Sequence, residues 1–294
     1  MSVSLDPAAL LAIRDLELRA RTVMEGLASG LHRSPYSGFS SEFTEYRQYS
    51  PGDDLRYLDW KAFARTDRFY LKKYEDETNL RCLIVLDTSR SMTFGSRGYS
   101  KLDYARTLAA TLACFLHAQR DVVGLALFDQ TVHHTLPPRW RPGHLAHLYA
   151  ALAREPASRT TAMGPALDEV RRLCPKRTLI VLLSDFLSPA DEWSASLAHL
   201  AAAGHDLRAL QILDPAELTL EGFGHAAIWE DLESDQNLYV DPAQARATYQ
   251  KNFAAHTGAV RDALHRAGVP LQSVDTGRPL DLTLRAFLRQ SAAA

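Results

Sequence analysis

From residue 79 onward, short apolar runs alternate with longer segments whose apolar residues recur at helical spacing. This alternation is typical of β-α-β units, in which helices cover both faces of a mostly parallel sheet. The apolar runs predict strands at Arg81–Leu86, Val122–Phe128, Thr178–Leu183, Asp206–Ile212 and Val269–Val274. The helical spacing predicts helices at Lys101–His117, Pro165–Leu173, Ala190–Ala202, Pro242–Ala267 and Leu280–Arg289. We therefore expect an α/β fold with a Rossmann-like, open sheet.

Two segments interrupt the alternation and are predicted as hairpins. Thr131 to Leu136 follows a predicted strand after only two residues, so we expect it to pair with that strand. Ala227 to Val240 holds two strand-like pieces around a turn at residues 234–237. We expect this second hairpin to add antiparallel strands at an edge of the sheet.

The N-terminal part has a different pattern. Pro7 to Gly30 carries apolar residues at helical spacing, which predicts one amphipathic helix. Residues 39–77 are aromatic and charged, with strand-like pieces near 42–49 and 69–75 around a Pro-Gly turn. We expect a helix and a small β-rich module over residues 1–78, followed by the α/β domain over residues 79–294.

Composition excludes several classes of partner. The chain has 33 Lys and Arg against 35 Asp and Glu, so it lacks the basic excess of a nucleic-acid-binding domain. The longest apolar stretch, Thr107 to Ala118, is shorter than the roughly 18 residues of a spanning helix. Residues 1–26 mix acids and bases without the apolar core of a signal peptide. We expect a cytoplasmic protein without membrane insertion.

Oxygen-bearing side chains follow two of the predicted strands. Asp87 follows the first strand, with Ser89 and Ser91 at alternating positions, and Asp185 ends the strand at 178–183 in the same way. Thr161 lies in a polar turn before a predicted helix. Ligands of open α/β sheets bind outside the carboxyl ends of the strands, and Mg²⁺ prefers oxygen ligands. These five residues therefore predict a site for Mg²⁺ or Mn²⁺.

Both parts of the chain resemble known families. The set Asp87-x-Ser89-x-Ser91, Thr161 and Asp185 resembles the metal-ion-dependent adhesion site of von Willebrand factor A domains. The preceding segment is similar to the signature of the bacterial domain of unknown function 58 family. In that family the signature directly precedes a von Willebrand A-like domain. The matching positions are Glu42-Phe43, Arg47, Tyr49, Pro51-Gly52-Asp53-Asp54, Arg56, Leu58-Asp59-Trp60 and Ala64-Arg65.

The resemblance implies a non-enzymatic, metal-dependent protein-interaction module with a von Willebrand A-type sheet. In such domains an under-coordinated metal accepts an acidic side chain from a partner. The family resembles components encoded beside MoxR-type AAA+ ATPases, which implies such an ATPase or its client as the partner.

Both motifs also have an interpretation in which the residues stabilise the fold or form a partner surface instead. Asp87 could cap the turn after its strand, with the two serines bonding the backbone. The charged residues of the signature, Arg47, Asp53, Asp54, Arg56, Asp59 and Arg65, could form a paired network beside Trp60 that fixes a turn. The aromatic signature could alternatively provide the partner surface, since aromatic residues and arginine dominate binding hot spots.

An enzyme is the alternative function. A magnesium-dependent phosphatase of the haloacid dehalogenase type would use Asp87 as the nucleophile. That chemistry requires a second acid two residues later, where this chain has Ser89. We therefore expect no catalytic residues.

Overall fold

The computed structural model describes residues 5–31, 46–48, 63, 65, 69–72, 80–155, 161–220, 227–230 and 237–292. By its internal contacts the chain forms two compact units, one of residues 1–32 with 80–294 and one of residues 33–79. The second unit contains a short antiparallel pair, β1 (Tyr46–Gln48) and β2 (Tyr70–Lys72). These two strands lie inside the segments expected to be strand-like.

The larger unit alternates strands and helices along the chain. Its first elements are α1 (Pro7–Leu11), α2 (Leu16–Leu31), β3 (Arg81–Asp87), a 3-10 turn (Arg90–Thr93), α3 (Lys101–Ala118), β4 (Val122–Phe128), β5 (Val132–Arg139), α4 (His144–Leu152) and α5 (Met163–Leu173). The later elements are β6 (Leu179–Ser184), α6 (Ala190–Ala202), β7 (Asp206–Leu213), α7 (Pro215–Thr219), β8 (Ala227–Glu230), β9 (Asn237–Val240), α8 (Pro242–Arg266), β10 (Leu271–Asp275) and α9 (Leu280–Ala292).

Six strands form one sheet in the order β10-β7-β6-β3-β4-β5. Every neighbouring pair is parallel except β4 and β5, which confirms a mostly parallel α/β sheet with a hairpin partner after β4. The chain leaves β3 for β4 on one side and later returns to β6 on the other side. The order of strands therefore reverses at β3, which is where open sheets of this class form their ligand crevice.

Both faces of the sheet are covered. Cys82, Ile84 and Leu86 of β3 pack into one apolar cluster, while Leu83 and Val85 pack into the other. Successive side chains of a strand point to opposite faces, so a strand buried on both sides becomes a continuous apolar run. This burial explains why the central strands can be located in the sequence.

The N-terminal helix differs from the prediction in two ways. The single helix expected over Pro7–Gly30 is wrong, because the chain breaks at residues 12–15 and the Asp15 carboxylate accepts the Leu18 N–H at 2.9 Å, which starts α2. The expected grouping of this helix with the signature segment also differs from the structure, because α2 packs its apolar face into the core of the α/β unit. The helix needs this core because its apolar stripe must be buried to stabilise it.

The hairpin expected at a sheet edge is also placed differently. Strands β8 and β9 pair antiparallel with each other and form their own two-stranded sheet, so the predicted edge addition is wrong. The edges of the six-stranded sheet are β5 and β10. Pairing between β8 and β9 satisfies part of their backbone hydrogen bonding within the hairpin itself.

Replacing Leu27 of α2 with alanine is expected to lower the free energy of unfolding by about 2–5 kcal/mol, because it empties a buried site in the core. Leu18 on the same helix is 52% exposed, so Leu18→Ala should change stability by less than about 0.5 kcal/mol. Urea unfolding of both variants measures the difference. Equal effects would show that α2 does not share the core.

Candidate functional site

Asp87 ends the central strand β3 and is held in one orientation. Its side chain is almost fully buried at 1% exposure. One carboxylate oxygen, Oδ1, accepts the backbone N–H of Ser89 at 2.9 Å. The other, Oδ2, accepts the hydroxyl of Ser184 at 2.6 Å, and Ser184 is the last residue of the neighbouring strand β6. The carboxylate therefore lies in the crevice between β3 and β6.

The two predicted serine ligands lie in the loop that follows. Ser89 is fully buried at the start of the 3-10 turn, and its Oγ lies 3.1 Å from the Oγ of Ser91. The Thr88 hydroxyl between them and β3 donates to the carbonyl of Phe128 at 2.9 Å, which ties the loop to β4. The short hydrogen-bonded turn therefore brings both serine hydroxyls together beside the end of β3.

Asp185 directly follows Ser184 and is also buried, at 2% exposure. Its Oδ1 accepts the Leu187 N–H at 3.2 Å. The next residue, Phe186, has a φ of 55°, a left-handed conformation that is uncommon for a bulky side chain. Its carbonyl lies 2.7 Å from the Nε2 of His256 on α8. Tertiary contacts thus hold the turn that orients Asp185.

Thr161 is half-buried and follows a segment outside the described residues. The neighbouring Ala162 donates its N–H to the carbonyl of Asp129 at 3.0 Å, just beyond the end of β4. The Thr161 loop therefore reaches the same edge of the sheet as the loop after β3. The structure brings Asp87, Ser89 and Ser91 together and places Asp185 and Thr161 on adjoining loops.

The electrostatics of the crevice favour a cation. Burial, together with the nearby Asp185 carboxylate, raises the pKa of Asp87 to about 7, although hydrogen bonds from Ser184 and Ser89 act to lower it. A buried carboxylate that faces a second acid gains from a positive charge placed between them. Two carboxylates and neighbouring hydroxyls are also suitable ligands for Mg²⁺. The side chains present therefore fit a divalent ion.

The remaining protein ligands of such an ion would have to be hydroxyl groups. Among the described residues, no three His, Cys, Asp or Glu side chains come close enough together to hold a metal by themselves. An all-carboxylate calcium cage or a His-Cys zinc site is therefore outside what the described part of the chain provides. Mg²⁺ tolerates few protein ligands because it retains several of its waters.

Lys101 and Glu217 belong to the same polar cluster, although the sequence did not reveal their role. The ammonium group of Lys101 lies 2.8 Å from Asp185 Oδ2 and 2.5 Å from Glu217 Oε1. The Lys101 side chain has no exposed surface. Burial alone would lower the pKa of Lys101, but the two carboxylates outweigh it and raise the pKa above its usual value.

Glu217 connects this cluster to two further loops. Its Oε2 accepts the N–H of Asp214 at 2.9 Å, completing a capping box at the start of α7. Asp214 in turn accepts the hydroxyl of Ser96 at 2.5 Å and the Ser96 N–H at 3.0 Å. The loop between β3 and α3 is therefore tied through Asp214 to the same capping box that holds Glu217.

The sequence contained one signal for Lys101. It occupies the first position of α3, where the positive end of the helix dipole disfavours a cation. A lysine there indicates a compensating anion nearby. The presence of a glutamate at position 217 is explained by the capping box alone, because Glu217 is the third residue of its helix. Its pairing with Lys101 could therefore not be anticipated.

Most of the signature falls outside the described part of the chain. Asp53, Asp54, Arg56, Asp59 and Trp60 lie outside the described residues. Arg47 is described only as part of β1, and Arg65 is exposed. The roles expected for this segment therefore stay predictions.

We expect the free energy of unfolding of the metal-free protein to fall as the pH rises, because of the raised pKa of Asp87. The folded state holds a proton on Asp87 up to a pH of about 7, whereas an ordinary aspartate releases it near 3.8. Stability therefore falls as the pH rises between these values, because the unfolded chain binds fewer protons. Urea unfolding in chelator, compared with Asp87→Asn across this range, measures the effect. A pH-independent difference between the two proteins would contradict it.

Comparison with known proteins identifies relatives. Residues 45–259 match the family model described as "Protein of unknown function DUF58". Uncharacterized protein Rv1480 of Mycobacterium tuberculosis is 30% identical over 278 residues, which cover 93% of this chain and 86% of the relative. An uncharacterized protein of Mycobacterium bovis is similar to the same extent.

Two solved structures share the fold. An aerotolerance-related membrane protein from Bacteroides fragilis has a TM-score of 0.51 at 17% identity, over 72% of this chain and 99% of the other. BatB from Bacteroides thetaiotaomicron has a TM-score of 0.50 at 17% identity, over 73% and 100%. In the described part of this chain, no helix is both long and apolar enough to cross a membrane. The family match and the similarity to the mycobacterial relatives along most of the chain place this protein in the domain of unknown function 58 family.

Proposed function

We propose that this protein is a divalent-metal-dependent protein-interaction module without enzymatic activity. Asp87, Ser89, Ser91, Thr161 and Asp185 would hold Mg²⁺ or Mn²⁺. The observation that carries the proposal is the buried Asp87 carboxylate at the strand-order reversal, beside a second buried acid and two serine hydroxyls. Burying acids together costs free energy unless cations compensate them, and the single ammonium of Lys101 is already shared by Asp185 and Glu217.

The coordination chemistry of such an ion suits the binding of an oxygen ligand from a partner protein. A Mg²⁺ ion held by few protein oxygens retains positions that water occupies or that another oxygen ligand can take. A carboxylate from a partner protein is the anionic ligand that best matches a hard cation. The residues of this chain would orient the ion and keep its inner side away from bulk water, since Asp87, Ser89 and Asp185 are buried.

The proposed partner is a MoxR-type AAA+ ATPase or a client of one. This part of the proposal rests on the family resemblance. An ATP-dependent partner implies a cytoplasmic location, since ATP is available there. The near-neutral net charge of −2 gives no reason to expect nucleic acid as a competing partner.

A pull-down tests the proposal. The full-length chain carries the tag, and the co-expressed ATPase is measured in magnesium and in chelator. We expect retention in magnesium, loss in chelator and loss with Asp87→Ala, whereas the exposed-site control Glu25→Ala should behave as the wild type. Equal retention by wild type and Asp87→Ala in both buffers would show that the metal site plays no part.

The alternative function is a magnesium-dependent phosphatase with Asp87 as nucleophile. Two observations favour binding over this reaction. Ser89 stands where the reaction needs a second acid, and Lys101 is engaged by two protein carboxylates. Hydrolysis of a generic phosphate ester by wild type, and its absence in Asp87→Asn, would support the enzyme instead.

A further inference from the structure

The crevice already contains a positive charge that belongs to the protein. The ammonium group of Lys101 bonds Asp185 Oδ2, and Asp185 is one of the proposed metal ligands. No part of the Lys101 side chain is exposed, so solvent does not screen this contact. The same ammonium bonds Glu217 Oε1, whose side chain is 14% exposed. Two carboxylates therefore share one buried cation.

We infer that Lys101 is a resident cation that competes with a divalent ion for Asp185 and thereby sets the metal affinity of the site. This inference rests on the proposed function, because it concerns the same ion. Asp185 Oδ2 accepts a hydrogen bond from Lys101, so an ion held by Asp87, Ser89 and Ser91 would meet that ammonium when it binds Asp185.

Competition follows from the charges and the distances. An ammonium and a divalent cation that share one carboxylate oxygen repel each other strongly inside a protein, where the effective dielectric constant is far below that of water. The ion must therefore displace Lys101 from Asp185 or use Asp185 through a water molecule. Either route makes binding weaker than it would be without the ammonium.

Glu217 makes displacement of Lys101 possible. It provides a second anion within 2.5 Å, so the ammonium can leave Asp185 without becoming an unpaired buried charge. Glu217 is itself fixed by the Asp214 N–H in the capping box of α7. The protein therefore provides a defined position for Lys101 when Asp185 is released.

A double variant separates this competition from a simple change in charge. Lys101→Met alone would remove the ammonium but would also make the site more negative. The double variant Lys101→Met with Glu217→Gln removes one positive and one negative charge, so the formal charge of the cluster is unchanged while Asp185 is still released. The double variant also avoids leaving Glu217 as an unpaired buried acid, which protects its folding.

The experiment is a calorimetric titration of the full-length proteins with Mn²⁺, with folding checked by circular dichroism. We expect the double variant to bind Mn²⁺ at least tenfold more tightly than the wild type. An affinity within twofold of the wild type, or a weaker one, would overturn the role of Lys101 and leave the metal site standing. Binding only by the double variant would support the role of Lys101 and overturn metal dependence in the wild type. Absence of binding by both would overturn both proposals.

Discussion

Magnesium is expected to raise the thermal stability of the wild-type protein and to leave the Asp87→Ala variant unchanged. An ion that binds only the folded state stabilises it by mass action, by about 2.7 kcal/mol when its concentration is a hundred times its Kd. Removing the Asp87 carboxylate takes away the central acid of the site. Thermal unfolding in magnesium, manganese and chelator measures the difference.

The control for this experiment is Asp191→Ala. Asp191 is an exposed carboxylate in the first turn of α6 and is not among the proposed metal ligands. It should retain the full response to magnesium. A wild-type melting temperature that is the same in magnesium and in chelator, at concentrations up to tens of millimolar, would contradict the proposed site.

Replacing Lys101 with alanine is expected to lower the free energy of unfolding in chelator by about 3–5 kcal/mol. The substitution leaves Asp185 and Glu217 buried without their shared cation, and losing one member of a buried pair costs far more than the pair itself contributes. Urea unfolding measures the change.

An exposed ion pair gives the matched comparison. Arg21 bonds Glu17 one turn earlier on α2, with side chains 66% and 44% exposed. Arg21→Ala should therefore cost less than about 1 kcal/mol, because solvent screens such pairs. If Lys101→Ala costs no more than Arg21→Ala, the Lys101 cluster contributes little to stability, and the ammonium is not a tightly held part of the site.

The central sheet could be predicted because of how it is buried. Strands covered on both faces appear in the sequence as short apolar runs. The observed bounds of β3, β4 and β6 lie within one residue of the predicted bounds. The positions of Asp87 and Asp185 followed from the same reasoning, because the polar residue after such a run must lie at the carboxyl edge. The sequence thus predicted that Asp87 and Asp185 lie at the carboxyl ends of β3 and β6.

The pairing partners inside the crevice could not be predicted. Lys101 meets Asp185 across 84 residues and Glu217 across 116, so both contacts depend on the order of strands in the sheet. Helix α4 was also missed, because its nine residues are too short for a clear helical pattern and begin after a glycine with a φ of 77°. Contacts between distant segments and short elements require the assembled fold.

Equilibrium binding of Mn²⁺ to the wild type and to Asp87→Ala shows whether Asp87 forms a metal site. Calorimetry gives the number of ions bound and the affinity without depending on stability or on a partner. We expect one Mn²⁺ ion for each wild-type chain, displaced by Mg²⁺, and none for Asp87→Ala. Equal binding by the two proteins, or no binding by the wild type, would contradict a metal site built on Asp87.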